Sequence, residues 1–391
     1  MAMTKKALKI MKFGHTGTKK NAPVNFWRYI FNGFDKLSGS ESIFFIELEM
    51  LNPWISPSEV LLGFKPRVNV TEEELQHALA GTKSALEFKS ENLVLPSYVA
   101  IRIGKLDDNP KQLVSYISFK DLKINNKKFE ISVGNKSFTL EQLTGFVNIS
   151  EDEKLKHPEY FCDDGYATWN VKFDILKEIL QGYRNKTDEW IPLGLKSDFT
   201  GIVNFDGKDF LIEPKKSFGF IERYWGKKFP QKWFHISSSN LTSNISGKFL
   251  ANTSFVVQGA FEDRISFIGS FEGTDIIYNV DSGKKLYDDV WNCVQAPVVD
   301  EDGNEQLHWT VSINSKNWVI DIDIFCRIKD LYNRNLEQPC GDREYLNVVQ
   351  CALGIGEIKL FRHVHNSLEL IEAAKIQKTF CEFGHMEHSE N

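Results

Sequence analysis

The stretch SFGFIERYWGKKFPQKWFHISSSNLTSN, Ser217–Asn244, predicts two strands joined by a turn in this 391-residue chain. It contains four Phe, two Trp and one Tyr around a single Glu, a single Arg and a single His. Phe218–Trp225 is the first predicted strand, and Gly226 and Pro230 bracket the turn. Lys232–Ser239 is the returning strand, so the polar residues of both strands are expected to meet.

Alternation of side chains along a strand places Glu222 among aromatic rings. One predicted face carries Phe218, Phe220, Glu222 and Tyr224. The other face carries Gly219, Ile221, Arg223 and Trp225. Burial among aromatic rings disfavours a charged carboxyl group, so Glu222 is predicted to be a neutral acid that can donate a proton. The alternative is a structural Glu paired with a cation. Arg223 is expected to point away from it. The turn is expected to direct four residues toward one pocket: Glu222, Trp225, His235 and Asn240.

This stretch resembles the central motif of tocopherol cyclases and their bacterial relatives. The residues that carry the resemblance are Phe220, Glu222, Trp225-Gly226, Phe229-Pro230, Trp233-Phe234 and Asn240. The segment CALGIGEIKLF, Cys351–Phe361, resembles the closing strand of the same family. His235 stands where the plant cyclases have a second Trp, so the same substrate does not follow from the resemblance.

The resemblance implies a cyclase or hydratase-like enzyme that acts on an isoprenoid or prenylquinol-type molecule. Proton addition to an alkene creates a carbocation, which a hydroxyl group or water then traps. This chemistry needs a neutral acid, aromatic faces that stabilise the cation and a dry pocket, with no metal and no cofactor. The residues assigned to catalysis are Glu222 and His235. The residues assigned to substrate binding are Trp27, Tyr224, Trp225, Trp233 and Asn240.

Two other classes of function remain open at this stage. A non-catalytic carrier would hold a lipophilic ligand in the mouth of a β-barrel without an acid, and the polar His235 favours that alternative. An interaction scaffold would instead show a large exposed apolar patch.

Short alternating segments separated by turn residues predict an all-β fold. We expect two lipocalin-like antiparallel β-barrel or sandwich halves with one or two short helical insertions. Asp206-Gly207 and Asp302-Gly303 predict hairpin turns. A capping box predicts a helix at Thr71–Phe88, and a second short helix is predicted at Phe173–Tyr183. The predicted domains are a flexible basic tail at 1–21, an N-terminal half at 22–205, a C-terminal half at 206–380 and a tail at 381–391.

Composition excludes several classes of function. The net charge of −6 argues against a nucleic-acid binder, and the 30 Phe suit a thick core or an apolar cavity. Six scattered cysteines and no secretory signal indicate a cytoplasmic protein, with the basic N-terminus as the one segment suited to peripheral membrane contact.

No metal site is predicted. The candidates rejected on spacing are His363 with His365, Cys381 with His385 and His388, and the turn at Asp300–Glu305. Hydrolase-elbow, dinucleotide and Walker motifs are absent from the sequence.

Overall fold

A computed structural model shows an antiparallel all-β protein, which confirms the predicted fold class. The structure describes residues 4–14, 21–55, 60–62, 67–68, 76, 80, 93–107, 109–158, 160–214, 216–261, 263–281, 290–340, 345–365 and 367–386. Two large barrel-like sheets contain most of these residues.

The first sheet has twelve strands in the described part of the chain. They are β1 (Val24–Asp35), β2 (Glu41–Leu51), β5 (Tyr98–Leu106), β6 (Lys111–Ile117), β7 (Leu122–Asn125), β8 (Glu130–Val133), β9 (Lys136–Phe138), β10 (Gln142–Ile149), β11 (Gly165–Glu178), β12 (Asp188–Phe205), β13 (Lys208–Ile212) and β14 (Phe218–Gly226). Strands β3 (Arg67–Val68) and β4 (Leu93–Val94) form a separate short pair. Strand β1 pairs with both β2 and β14, which places these three strands side by side.

The second sheet has eleven strands in the described part. They are β15 (Lys232–Ser238), β16 (Leu241–Ser243), β17 (Ser254–Ala260), β18 (Arg264–Phe271), β19 (Thr274–Asp281), β20 (Val290–Val299), β21 (Glu305–Asn314), β22 (Trp318–Arg327), β23 (Tyr332–Glu337), β24 (Tyr345–Val364) and β25 (Ser367–Met386). The central pair β15–β25 faces the first sheet through side chains of both strands.

Apolar side chains form three clusters. One fills the interior of the first sheet and a second fills the interior of the second sheet. The third lies between the sheets and combines Phe45, Phe220 and Tyr224 of the first with Trp233 and Phe380 of the second. The interface between the sheets is therefore a hydrophobic core in its own right.

The N-terminal segment packs inside the first half, unlike the flexible tail predicted from its lysines. Helix α1 (Lys5–Met11) begins after Thr4, whose side chain accepts a hydrogen bond from the backbone of Ala7. Ala7, Ile10 and Met11 are buried because the lysines lie on the opposite side of the helix. Trp27 Nε1 donates to the Met11 carbonyl at 2.9 Å, which ties the helix to β1.

Helix α2 (Glu151–Lys156) is capped at its N-terminus by a capping box between Ser150 and Glu153. Two short 3-10 turns occur at Phe119–Asp121 and Ile328–Asp330. The helix predicted at Phe173–Tyr183 is wrong, because alternating burial continues strand β11 to Glu178. The helix predicted at 71–88 lies outside the described residues, apart from two isolated positions. None of the helices described is long and apolar enough to cross a membrane.

The predicted boundary at 205/206 falls inside the β12–β13 hairpin, and the two sheets divide between Gly226 and Lys232. The division into folding domains stays a prediction. Residues 381–386 belong to β25 rather than to a tail, because Cys381 and Glu382 are buried against β15. Both predicted hairpin turns are confirmed, with positive φ at Asp206, Gly207 and Gly303.

Candidate functional site

Glu222 lies at the centre of the interface between the sheets and is fully buried. Strand β14 places it directly opposite Arg28 of β1, and Arg28 Nε donates to Glu222 Oε1 at 2.6 Å. Trp190 Nε1 donates to the other oxygen at 2.6 Å. A carboxyl group with a guanidinium and an indole N–H at its oxygens is stabilised as a carboxylate. The structure thus places Glu222 in an ion pair with a cation other than Arg223, which is the structural alternative that the sequence left open.

The ion pair belongs to a central charge network that joins both sheets. It consists of Arg28, Glu47, Glu49, Arg102, Glu222, Arg334 and Glu382. In the first sheet, Arg102, Glu47, Arg28 and Glu222 are consecutive cross-strand partners. From the second sheet, Arg334 Nη2 donates to Glu47 at 2.9 Å and to Glu382 at 2.9 Å. Charges therefore alternate in sign across the interface.

Ion pairs shift the pKa of Arg28 and of Glu382 in the direction that favours their charged forms. Burial disfavours the charged form of Arg28, but Glu222, Glu382 and Glu47 together raise its pKa. Burial alone would raise the pKa of Glu382, but the ion pairs with Arg28 and Arg334 hold that pKa well below its usual range. Removing one member of such a pair leaves a buried charge without compensation, which is strongly destabilising. The network therefore fixes how the two sheets meet.

His235 lies beside Glu222, as the sequence predicted, and is fully buried. Its Nδ1 is 3.5 Å from Glu222 Oε2 and 2.9 Å from Gln258 Oε1. Its Nε2 is 2.9 Å from Ser237 Oγ. The rings of Phe220 and Phe380 enclose the imidazole. Burial lowers the pKa of His235, while the Glu222 carboxylate opposes this effect.

An aromatic recess adjoins Glu222 on the side away from Ser237. It is lined by Phe26, Tyr183, Glu222, Tyr224, Phe229 and Trp233, among others. Tyr224 and Phe229 stack with their ring centroids 5.5 Å apart. The recess encloses only about 20 Å³, which is the space of a single water molecule. A ligand larger than water does not fit there in this conformation.

A larger cleft lies on the other side of His235, between the two sheets. Its volume is about 310 Å³. Its apolar walls include Ile30, Phe31, Phe34, Ile43, Leu195, Phe218, Phe220, Phe255 and Phe380. Ser237, Ser238, Ser239 and Asn240 supply a polar strip along one wall. At the rim, Lys378 of β25 forms an ion pair with Glu41 of β2.

The structure divides the predicted binding residues among three places. Tyr224 and Trp233 lie in the aromatic recess with Glu222, and Asn240 lines the cleft. Trp27 and Trp225 lie inside the first sheet instead, on either side of the Arg223 guanidinium. Strand alternation explains the separation, since Trp225 is three positions from Glu222. The interpretation of Trp27 and Trp225 as walls of a pocket with Glu222 is therefore wrong.

Sequence reasoning missed several residues of the site: Arg28, Trp190, Ser237, Gln258, Arg334 and Glu382. One pattern in the sequence indicates that charged partners such as Arg28 and Arg334 must be buried. ESIFFIELEML and SYVAIRI place Glu47, Glu49 and Arg102 within otherwise apolar strands, and such charges require buried partners. In the described ranges, no three His, Cys, Asp or Glu side chains are grouped so as to hold a metal ion; His388 lies outside them.

No family model and no curated protein matches the chain. Among solved structures, the chain is similar to kievitone hydratase from Nectria haematococca, with 12% identity and a TM-score of 0.42, over 98% of this chain and 96% of that chain. It is also similar to a protein of Nitrosomonas europaea proposed to be an AttH, with 9% identity and a TM-score of 0.42, over 95% and 94% of the two chains. With TM-scores this low, neither likeness bears on the activity of this chain.

Proposed function

We propose that the protein binds a lipophilic small molecule of the isoprenoid or prenylquinol type in the cleft between its two sheets. The observation that supports this is the cleft itself, a space of about 310 Å³ with Phe side chains from both sheets. Small-molecule sites are concave and mostly apolar, with a few polar groups that fix orientation, and their volumes begin at about 300 Å³. The polar groups of this cleft are Ser237, Ser238, Ser239 and Asn240.

A binding titration of delipidated protein tests this proposal. The probe is a prenylated phenol, and the readout is its fluorescence or the heat of binding. We expect saturable binding of one molecule per chain. Ser239→Phe places a ring in the cleft and is expected to weaken binding at least tenfold. The matched control is Ser132→Phe on β8, which does not line the cleft. Equal binding by both variants would contradict the proposal.

The second candidate is acid-catalysed cyclisation or hydration of the same ligand, by Glu222 and His235. Its support is the position of both residues beside aromatic side chains. The mechanism requires Glu222 to reach the substrate, but its two oxygens already accept hydrogen bonds from Arg28 and Trp190, and the recess next to it is too small for substrate. The geometry therefore favours a carrier of the lipophile over this reaction.

Incubation of purified protein with a prenylated phenol in D₂O distinguishes the two candidates. A cyclase or hydratase would form a product with one deuterium on carbon, and Glu222→Gln would abolish it. Glu130→Gln, at an exposed position of β8, is the control. Circular dichroism would show that Glu222→Gln is folded. We expect bound ligand to be recovered unchanged, as a carrier requires.

A further inference from the structure

We infer that Ser237 and His235 form a proton relay that accepts a proton from a hydroxyl group of the ligand. The inference rests on the proposed function, because the ligand must lie in the cleft for its hydroxyl group to reach Ser237. It goes further in assigning a hydroxyl-bearing ligand and a base, and it uses Glu222 as a carboxylate.

The hydrogen bonds of His235 fix the direction of the relay. Gln258 Oε1 can only accept, so the His235 Nδ1 atom 2.9 Å away carries the hydrogen of the neutral ring. Nε2 is then the acceptor, and the Ser237 hydroxyl group donates to it at 2.9 Å. The hydroxyl hydrogen of Ser237 is therefore directed at the imidazole. Its oxygen keeps lone pairs to accept a donor from the cleft, whose wall includes Ser237.

The surroundings keep the imidazole neutral in the absence of ligand. Burial lowers the pKa of His235, and Arg28 lowers it further, while Glu222, Glu382 and the Gln258 hydrogen bond act in the opposite sense. The apolar neighbours are the rings of Phe220 and Phe380. A neutral imidazole that accepts a hydrogen bond at Nε2 is a base.

The central charge network compensates the charge that the relay would create. Its four carboxylates and three guanidinium groups carry one net negative charge. The nearest carboxylate oxygen, Glu222 Oε2, is 3.5 Å from His235 Nδ1. An imidazolium at this position makes the whole cluster neutral. Glu222 therefore stabilises the protonated histidine and does not itself touch the ligand.

The transfer balances without another reactant. The O–H bond of the ligand breaks and its proton bonds to Ser237 Oγ, while the original Ser237 hydrogen moves to His235 Nε2. The ligand keeps the electron pair as an oxyanion, and the protein gains one positive charge. A phenol, with a pKa of about 10, is a stronger acid than an aliphatic alcohol, and because burial lowers the pKa of His235 the transfer to it is partial and depends on the Glu222 contact. The ligand class is therefore a lipophilic phenol.

A lipophilic nitrophenol tests the relay, because its phenol and phenolate absorb at different wavelengths. The pH at which the bound probe is half ionised is measured for the wild type and for Ser237→Ala. We expect the variant to require a pH about one unit higher, a tenfold loss in ionisation, with little change in affinity for the neutral form. Ser132→Ala, on β8 and outside the cleft, also removes a serine hydroxyl group and is expected to match the wild type. Ser237→Thr restores the hydroxyl group and is expected to recover most of the effect.

Unchanged ionisation in Ser237→Ala, with binding retained, would overturn the relay and leave the proposed function standing. Absence of saturable binding by the wild type would overturn both. His235→Gln provides a second measurement: loss of the ionisation effect supports the relay, and its persistence contradicts it.

Discussion

Arg28 and Glu222 lie directly opposite each other on neighbouring strands, both fully buried, with Arg28 Nε 2.6 Å from Glu222 Oε1. The same guanidinium also donates to Glu382 of the second sheet. One residue thus connects the candidate acid of the first sheet to the central strand of the second. This contact makes Glu222 part of the interface and not a free proton donor.

Loss of Arg28 is expected to be severe. Arg28→Met leaves three buried carboxylates, Glu222, Glu382 and Glu47, without their shared partner, which costs about 3–5 kcal/mol. Urea unfolding measures the free energy. Arg362→Met, which removes an exposed ion pair with Glu369, is the control and is expected to cost less than about 1 kcal/mol. Equal losses in the free energy of unfolding would show that the buried network contributes no more than an exposed ion pair.

Glu382 is expected to make the protein sensitive to acid. Its pKa in the folded state is held low by Arg28 and Arg334, so it contributes stability above its unfolded pKa of about 4.3. That contribution is lost as pH falls from this value through the folded pKa. The melting temperature should therefore fall less steeply between pH 6 and pH 3 in Glu382→Gln than in the wild type. Glu305→Gln, at an exposed position, should keep the wild-type slope.

The turn between β12 and β13 is expected to depend on Gly207. Asp206 and Gly207 have φ of 48° and 80°, as a type I′ turn requires. Gly207→Val forces a β-branched residue into that conformation and should cost about 1–3 kcal/mol. Gly207→Asn should be tolerated better, since Asn adopts this backbone more readily. Equal melting temperatures for the two variants would contradict this assignment.

Helix α1 is expected to stabilise the first half rather than to act as a free basic arm. Met11 is fully buried, and Met11→Ala should cost about 2–5 kcal/mol. Lys6→Ala, on the exposed side of the helix, should have little effect. Tryptophan fluorescence during unfolding provides the measurement, because Trp27 bonds to the Met11 carbonyl. An unchanged free energy of unfolding in Met11→Ala would indicate that the helix does not dock in solution.

Local pattern was sufficient to predict the strands, both hairpin turns and the position of Glu222 among aromatic residues. Alternation also placed Tyr224 with Glu222 and Arg223 on the opposite face, as the structure shows. What local pattern could not supply is the register between distant strands. Arg28 is 194 positions from Glu222, and Glu382 is 354 positions from Arg28. The strand that carries Glu222 therefore gives no sign of the cation that pairs with it.

The error on Trp27 and Trp225 has a related cause. Strand alternation already separates Trp225 from Glu222, but the predicted turn was expected to direct both toward one pocket. The family resemblance suggested Trp27 as a wall of the cavity. The prediction of a helix at Phe173–Tyr183 is wrong for another reason. Asp174 is a typical helix start, whereas Phe173 and Ile175 pack inside the first sheet as alternate strand residues.

Photocrosslinking shows where the ligand lies and therefore tests whether it binds in the cleft between the sheets. A prenylated phenol with a diazirine on its tail is irradiated with delipidated protein, and labelled peptides are sequenced by mass spectrometry. We predict saturable labelling of Phe218–Phe220 and Ser237–Asn240, which line the cleft from both sheets, and competition by unlabelled phenol. Saturable labelling confined to another surface, such as the mouth of the second sheet around Trp291 and Phe383, would contradict it.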